Sequence, residues 1–218
     1  RYRGYPVPEL AEVCPFDEVA YLLLYGELPT ASQLEQFQSR VNAARRLTQP
    51  IRDLMQGLPK WTPPLEALRT TVSALAHFDQ DAADNSHEAN VRKAERLIAQ
   101  IPVAIADHYH YARGEQVVAA RQDLGQSANF LWMLRGLEPT PEDVRALDVS
   151  LILYAEHEFN ASTFAARTIV STESDLHSAI VGAIGALKGR LHGGANEKIM
   201  DILQPIGEVG KAEAWVRA

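Results

Sequence analysis

Residues 178–202 read Ser178-Ala-Ile-Val-Gly182-Ala-Ile-Gly185-Ala-Leu-Lys-Gly189-Arg-Leu-His192-Gly193-Gly194-Ala-Asn196-Glu197-Lys-Ile-Met-Asp-Ile202. This is a glycine-laced apolar helix, a turn carrying one histidine, and the start of a second helix. Gly182, Gly185 and Gly189 recur at spacings of three and four, so they stack on one helix face, where each glycine costs about 1 kcal/mol relative to alanine. Close approach of another backbone offsets that cost, because Ala179, Ala183 and Ala186 keep the surrounding surface small as well. Gly189 is expected to end the helix in a left-handed conformation. Asn196 with Glu197 reads as the cap and first turn of the next helix. His192 is thereby presented in a tight turn beside a helix N-terminus. A neutral imidazole there suits donation of a hydrogen bond to a developing enolate oxygen.

Outward from this stretch, almost every segment carries the helical period and no alternating run is long enough for a sheet. One helix is predicted over residues 10–25, stopping at Gly26. Thr30 with Gln33 forms a capping-box signature that opens a helix to about Leu47. Pro50 starts a short helix ending at Gly57, and Pro63-Pro64 opens another that runs to Phe78. Residues 79–88 turn polar and acidic and read as a solvated connection. Residues 91–113 form one long helix with a kink or break at Pro102. Further helices are predicted over 123–134, closed by Gly136, and from the cap Thr140 to His157. The expectation is a compact all-α architecture of about ten helices. Segments that are apolar most of the way round, 149–154 and 180–187, belong in the centre of a large domain or in a dimer interface.

The chain has 218 residues, 46% of them hydrophobic, and a formal net charge of -7. That length allows one large domain, or one domain with part of another. The acidic balance and the lack of any basic block argue against a nucleic-acid surface. Cys14, the only cysteine, reads as a small packing residue and excludes an internal disulfide,. No secretory signal and no apolar run near 18 residues is seen, which points to a cytoplasmic protein without membrane contact. The chain begins at Arg1 and stops at Ala218 inside a helical-looking segment, so a trimmed piece of a longer protein is expected.

Of the seven histidines, His77, His87 and His177 stand alone near helix ends or loops. His108 and His110 are two apart on a helix, face different ways, and make a poor zinc pair. His157-Glu158 resembles half of a zinc-protease helix motif, but position 161 is alanine,. The glycines near 185 follow no strand and lack a phosphate-loop ending. Ser162 lacks the flanking glycines of a nucleophile elbow. What remains is His157, followed by Asn160, Ser162 and Thr163, and His192, followed by Gly193, Gly194 and Asn196. Spacing alone leaves open whether the two histidines share a site or end two helices independently.

Tyr-Ala-Glu-His-Glu-Phe-Asn-Ala-Ser-Thr-Phe at 154–164 and Gly-Ala-Leu-Lys-Gly-Arg-Leu-His-Gly-Gly-Ala-Asn-Glu at 185–197 closely resemble the two signature segments of citrate synthases. Tyr2-Arg3-Gly4-Tyr5 and Gly26-Glu27-Leu28-Pro29 look like that family's early segments. The wording around His157 is most similar to that of bacterial 2-methylcitrate synthases. The resemblance implies a helical homodimer with a large domain, residues 1–192 here, and the hinge and beginning of a small domain in residues 193–218. It implies condensation of oxaloacetate with propionyl-CoA, or alternatively acetyl-CoA, with no cofactor and no metal. His192 matches the histidine that hydrogen-bonds the thioester carbonyl and stabilises the enol. His157 matches an oxaloacetate ligand, with Asn160 assisting, and Gly193-Gly194 match the hinge. Arg190 departs from the proline common in the family, which either alters the approach to His192 or suits an anionic ligand. The family's second catalytic histidine, its proton-abstracting aspartate and its carboxylate-binding arginines belong to segments after Ala218, so the 218-residue chain alone is expected to be inactive. A reading of another class is a non-catalytic helical module whose glycine face serves only dimerisation.

Overall fold

In a computed structural model the described residues are 1–156, 158–194 and 198–217. Ten helices precede residue 190: α1 (Val7–Val13), α2 (Phe16–Tyr25), α3 (Ala31–Ala44), α4 (Gln49–Gln56), α5 (Pro64–Leu75), α6 (His87–Arg113), α7 (Gln126–Arg135), α8 (Pro141–Tyr154), α9 (Ala161–Val170) and α10 (Leu176–Leu187). Beyond them come α11 (Ile199–Ile206) and α12 (Ala212–Arg217). Among the described residues there is no strand, only a bridge between Tyr2 and Tyr5. The fold is all-α, as the helical period requires.

Local chemistry sets most boundaries. Thr30 accepts from the Gln33 amide while the Gln33 side chain reaches back to the Thr30 amide, the reciprocal box anticipated from sequence,. Gly26 closes α2 at φ 94° and Gly136 closes α7 at φ 67°. The single helix expected over 10–25 is instead two, because Pro15 cannot continue α1 and serves as the cap before α2,. The α3 helix ends at Ala44, three residues early. Arg45 turns inward there, donating to the carbonyls of Arg121 and Leu124 and to the Gln126 side chain. α6 begins at His87 rather than Val91, capped by Ser86, and runs unbroken through Pro102. α7 starts at Gln126, not Asp123, and α8 ends at Tyr154, not His157.

The core forms where α4, α5, α6 and α7 meet α10, through Ile51, Met55, Val72, Leu97, Val103, Met133 and Ile184. A second cluster joins the N-terminus to α8 through Tyr2, Leu10, Val19, Leu22 and Ile152. Cys14 is buried there as a packing residue. α10 is thus held between α5, α6 and α9. The Lys188–Glu66 ion pair ties its C-terminal end to α5. At its first turn Asp175 caps the helix by accepting from the Ser178 amide.

The acidic connection 79–88 is not simply solvated. Asp79 and Asp81 receive Arg96, Asp81 also receives Arg92, and Lys93 donates to the Asp84 carbonyl at 2.6 Å. Sequence reading saw only the acids; their partners Arg92, Lys93 and Arg96 lie one to three turns along α6,. No described helix is long and apolar enough to cross a membrane.

Candidate functional site

α9 and α10 lie against each other, and this contact delivers His192. Ile169 of α9 occupies the space where a side chain on Gly182 would be, which gives that glycine its reason,. Gly185 faces open space, so the glycine row serves two different purposes along one helix. Gly189 does not adopt the expected left-handed conformation. α10 ends at Lys188 in right-handed geometry, and the chain tightens into a turn in which the amides of His192 and Gly194 return to the Gly189 carbonyl at 2.9 and 3.4 Å. The chain leaves the helix through this hydrogen-bonded turn rather than through a left-handed glycine.

That turn brings His192 onto the start of α9. Its Nε2 lies 2.7 Å from Ser162 Oγ, and the same hydroxyl is 3.0 Å from the Ala183 carbonyl. The hydroxyl has one proton, so two arrangements are possible. When Ser162 donates to Ala183 O, it accepts from His192 Nε2–H and Nδ1 is left as an acceptor. When Ser162 donates to His192 Nε2, the ring proton sits on Nδ1 and that nitrogen becomes a donor toward solvent or ligand. The orientation of the Ser162 hydroxyl is therefore coupled to the tautomer of His192,. Sequence reasoning dismissed Ser162 as a nucleophile and missed this role. The available signal was its position two residues into α9, on the side that meets α10.

Asn160 caps α9, its side-chain oxygen accepting from the Thr163 amide at 2.9 Å. This structural duty occupies its oxygen and leaves its amide NH₂ for another partner. His157 lies outside the described residues, as do Asn196 and Glu197. Its flanks are described. Tyr2, 3% exposed, sets its hydroxyl 2.7 Å from the Ile152 carbonyl and 3.0 Å from that of Glu156. Glu158 is held at φ 53°, a left-handed conformation uncommon for a residue with a side chain, and its amide donates to the Glu156 carboxylate,. Gly193 is buried, and a side chain there would strike the Leu187 backbone carbonyl. Arg190 is exposed.

The other histidines have structural partners or surface positions. His108 Nε2 donates to the Thr62 carbonyl at 3.1 Å; His110 Nε2 donates to that of Met133 at 2.8 Å, with Nδ1 3.1 Å from Glu115. The two do face different ways, toward the α4–α5 loop and toward α7. His177 is buried against Asp79, and burial holds its pKa below the ordinary histidine value. Among the described residues no group of three metal-ligating side chains converges.

Fold and site together define an all-α domain in which a central small-residue helix presents one histidine to a serine on its neighbour. A family profile described as citrate synthase, C-terminal domain, matches residues 1–218, and the chain belongs to the citrate synthase family. It is 47% identical over 217 residues to a 2-methylcitrate synthase of Mycobacterium tuberculosis, covering 100% of this chain and 55% of the relative. It is 46% identical to a citrate synthase of Mycolicibacterium smegmatis, covering 99% and 57%. Among solved structures, citrate synthase from Pyrobaculum aerophilum superposes with a TM-score of 0.89 at 42% identity, over 97% of this chain and 55% of that one. A citrate synthase from Thermoplasma acidophilum, solved as a ternary complex with carboxymethyl coenzyme A and oxaloacetate, gives 0.87 at 29% identity, over 99% and 56%. The chain thus spans a little over half the length of the relatives it matches.

Proposed function

We propose that this chain carries the thioester-polarising and part of the oxaloacetate-binding machinery of an acyl-CoA:oxaloacetate C-acyltransferase, condensing propionyl-CoA with oxaloacetate to 2-methylcitrate. The observation that carries the reading is the Ser162–His192 contact at 2.7 Å, which ties together the two signature segments at their functional ends. With Ser162 donating to Nε2, the Nδ1–H of His192 donates to the thioester oxygen as the α-carbon loses its proton. The developing enolate then meets a fixed dipole rather than reorganising water. His157 and the free amide of Asn160 bind oxaloacetate. Gly193 and Gly194 form the hinge between a large domain of residues 1–192 and a small domain beginning at 193, and closure across it excludes water from the enol. The enzyme works as a cytoplasmic homodimer without metal or cofactor.

Removing the α-proton needs a base within about 3 Å of the carbon acid. Among the described residues no carboxylate bonds to His192, and the family resemblance places that base in segments after Ala218. Activity is accordingly assayed in protein extended to the relatives' full length, where His192→Ala is expected to lower turnover about a hundredfold or more. Turnover near wild type would remove His192 from the mechanism. Oxaloacetate is expected to raise the melting temperature of the same protein and would not do so for a helical scaffold. An acetyl-CoA-specific citrate synthase is the second reading, supported by the near-equal identity to relatives of that name, 46% against 47%. Comparing kcat/KM for the two thioesters decides between them, since one methylene is worth about 10- to 200-fold.

A further inference from the structure

Tyr2-Arg3-Gly4-Tyr5 carries part of the family resemblance but takes no part in the enol chemistry of His192. These four residues close a tight turn. Tyr2 and Tyr5 exchange both backbone hydrogen bonds at 2.9 Å, and the central residues Arg3 and Gly4 hold φ at 49° and 97°, the positive pair that two-residue hairpin turns require. Arg3 is an uncommon residue for that conformation, and its Nη2 is anchored on the Leu23 carbonyl of α2 at 3.1 Å. Behind the turn the Tyr2 ring is packed among Leu10, Val19, Leu22 and Ile152.

What this turn holds in place is one hydroxyl. Tyr2 Oη lies 2.7 Å from the Ile152 carbonyl and 3.0 Å from the Glu156 carbonyl, and the Glu156 amide donates to it at 3.3 Å. With a single proton it donates to one carbonyl at a time while accepting from the amide. Burial pushes the phenol pKa above its ordinary value, so that proton is retained. Both backbone groups of Glu156 are thus tied to one side-chain atom 154 positions away. Glu156 immediately precedes His157 in the sequence. On the other side of His157, the Glu158 amide donates to the Glu156 carboxylate at 2.7 Å, and Asn160 caps α9.

We propose that Tyr2 is a positioning residue for oxaloacetate: its hydroxyl fixes the backbone at Glu156, and the Glu156 carboxylate fixes Glu158, so that the segment bearing His157 is set before the ligand arrives. This rests on the reading of His157 as an oxaloacetate ligand. Packing alone needs only the ring, which phenylalanine would supply; the hydroxyl is directed at Glu156 and the end of α8. A binding group ordered in advance loses less of its interaction free energy to its own immobilisation.

The test is oxaloacetate binding, measured by calorimetry in protein extended to the relatives' full length, for Tyr2→Phe, Glu156→Ala, Val19→Ala and His157→Gln. Tyr2→Phe removes only the hydroxyl and is expected to weaken oxaloacetate at least about fivefold. Glu156→Ala, at an exposed position, removes the tie to the Glu158 amide and is expected to weaken it about threefold. That variant carries the decision if Tyr2→Phe does not fold. Val19→Ala opens the same core cluster but removes no hydrogen bond to Glu156. It is expected to lower the melting temperature and keep oxaloacetate affinity within about twofold of the parent. Equal loss of affinity in Val19→Ala and Tyr2→Phe would show a merely structural role and overturns the proposal. Parent-like affinity in both Tyr2→Phe and Glu156→Ala, beside weak binding in His157→Gln, also overturns it and leaves His157 as a ligand. Parent-like affinity in His157→Gln overturns the oxaloacetate reading itself, and the role of Tyr2 with it.

Discussion

At the residue scale, the site depends on atoms that sequence pattern alone ranks low. Ser162 looks like an ordinary first-turn serine, yet it bridges the Ala183 carbonyl and His192 Nε2. Ser162→Ala is expected to cost about 1 kcal/mol of folding stability, the usual worth of such a bond. It is also expected to change the ratio of Nδ1–H to Nε2–H tautomers in imidazole ¹⁵N spectra of the 218-residue chain. An unchanged ratio would mean that the serine does not govern the ring. The adjacent glycines are likewise unequal. At Gly193 a side chain would strike the Leu187 backbone carbonyl, whereas at Gly194 it would sit 3.7 Å from the Gly189 carbonyl, an ordinary contact. Gly193→Ala is therefore expected to destabilise by about 1–3 kcal/mol, and Gly194→Ala to be neutral or slightly stabilising. Urea midpoints of the two variants check the difference, and equal midpoints would contradict the packing described for this turn.

At the element scale, what was legible follows from short-range rules. The Thr30–Gln33 box, the glycine stops at Gly26 and Gly136 and the first-turn proline of α8 were readable because each is complete within four residues. The misplaced ends of α3 and α7 share one cause, since Arg45 and Gln126 are held to each other across 81 positions. No local window contains that information. The 79–88 connection was misread for the same reason, its arginine partners belonging to a separate helix. His177 was taken as a helix-end histidine and is in fact buried at the start of α10, where desolvation lowers its pKa more than Asp79 and Asp175 raise it, with Lys93 and Arg96 lowering it further. The unfolded chain thus takes up the proton first. Stability is present above the ordinary histidine value of 6.5 and is lost as pH falls below it toward the folded pKa,. The loss of urea stability between pH 7.5 and 5.5 is expected to be smaller in His177→Gln than in the parent chain; parallel profiles would show that His177 remains neutral in both states or charged in both.

At the scale of the whole molecule, the two segments expected in the centre of a large domain or in a dimer interface, 149–154 and 180–187, are covered on one side only within the single chain. Ile152 and Ile184 are in the core, but Leu153 is 51% and Tyr154 63% exposed, and α9 adds Phe159 before it and Phe164 within it at 61% and 57%. Phe159 and Phe164 stack edge-on at 5.8 Å, and exposed large apolar side chains that cluster in this way mark contact surfaces,. In the proposed homodimer the helix pair α9–α10 would be where the second copy approaches. Gly182 spends its missing side chain on Ile169 inside the chain, whereas Gly185 on the same helix is exposed and meets nothing within 4 Å. A glycine with no internal use in a helix costs about 1 kcal/mol, and in the proposed homodimer close contact with a second copy across a two-fold axis would give it a purpose. Gly185→Arg is the discriminating substitution. It removes a helix-weakening residue and adds charge only to an outer face, so the monomer is expected to keep its fold, with an unchanged far-ultraviolet spectrum. A charge at a small-residue contact excludes the partner, so sedimentation equilibrium is expected to show at least a tenfold weaker self-association than the parent chain. A parent chain that is monomeric at all concentrations, or a variant that dimerises as well as the parent, would place the role of Gly185 elsewhere. Retention of dimers together with loss of helix would instead point to the monomer fold, and the pair of measurements separates these cases.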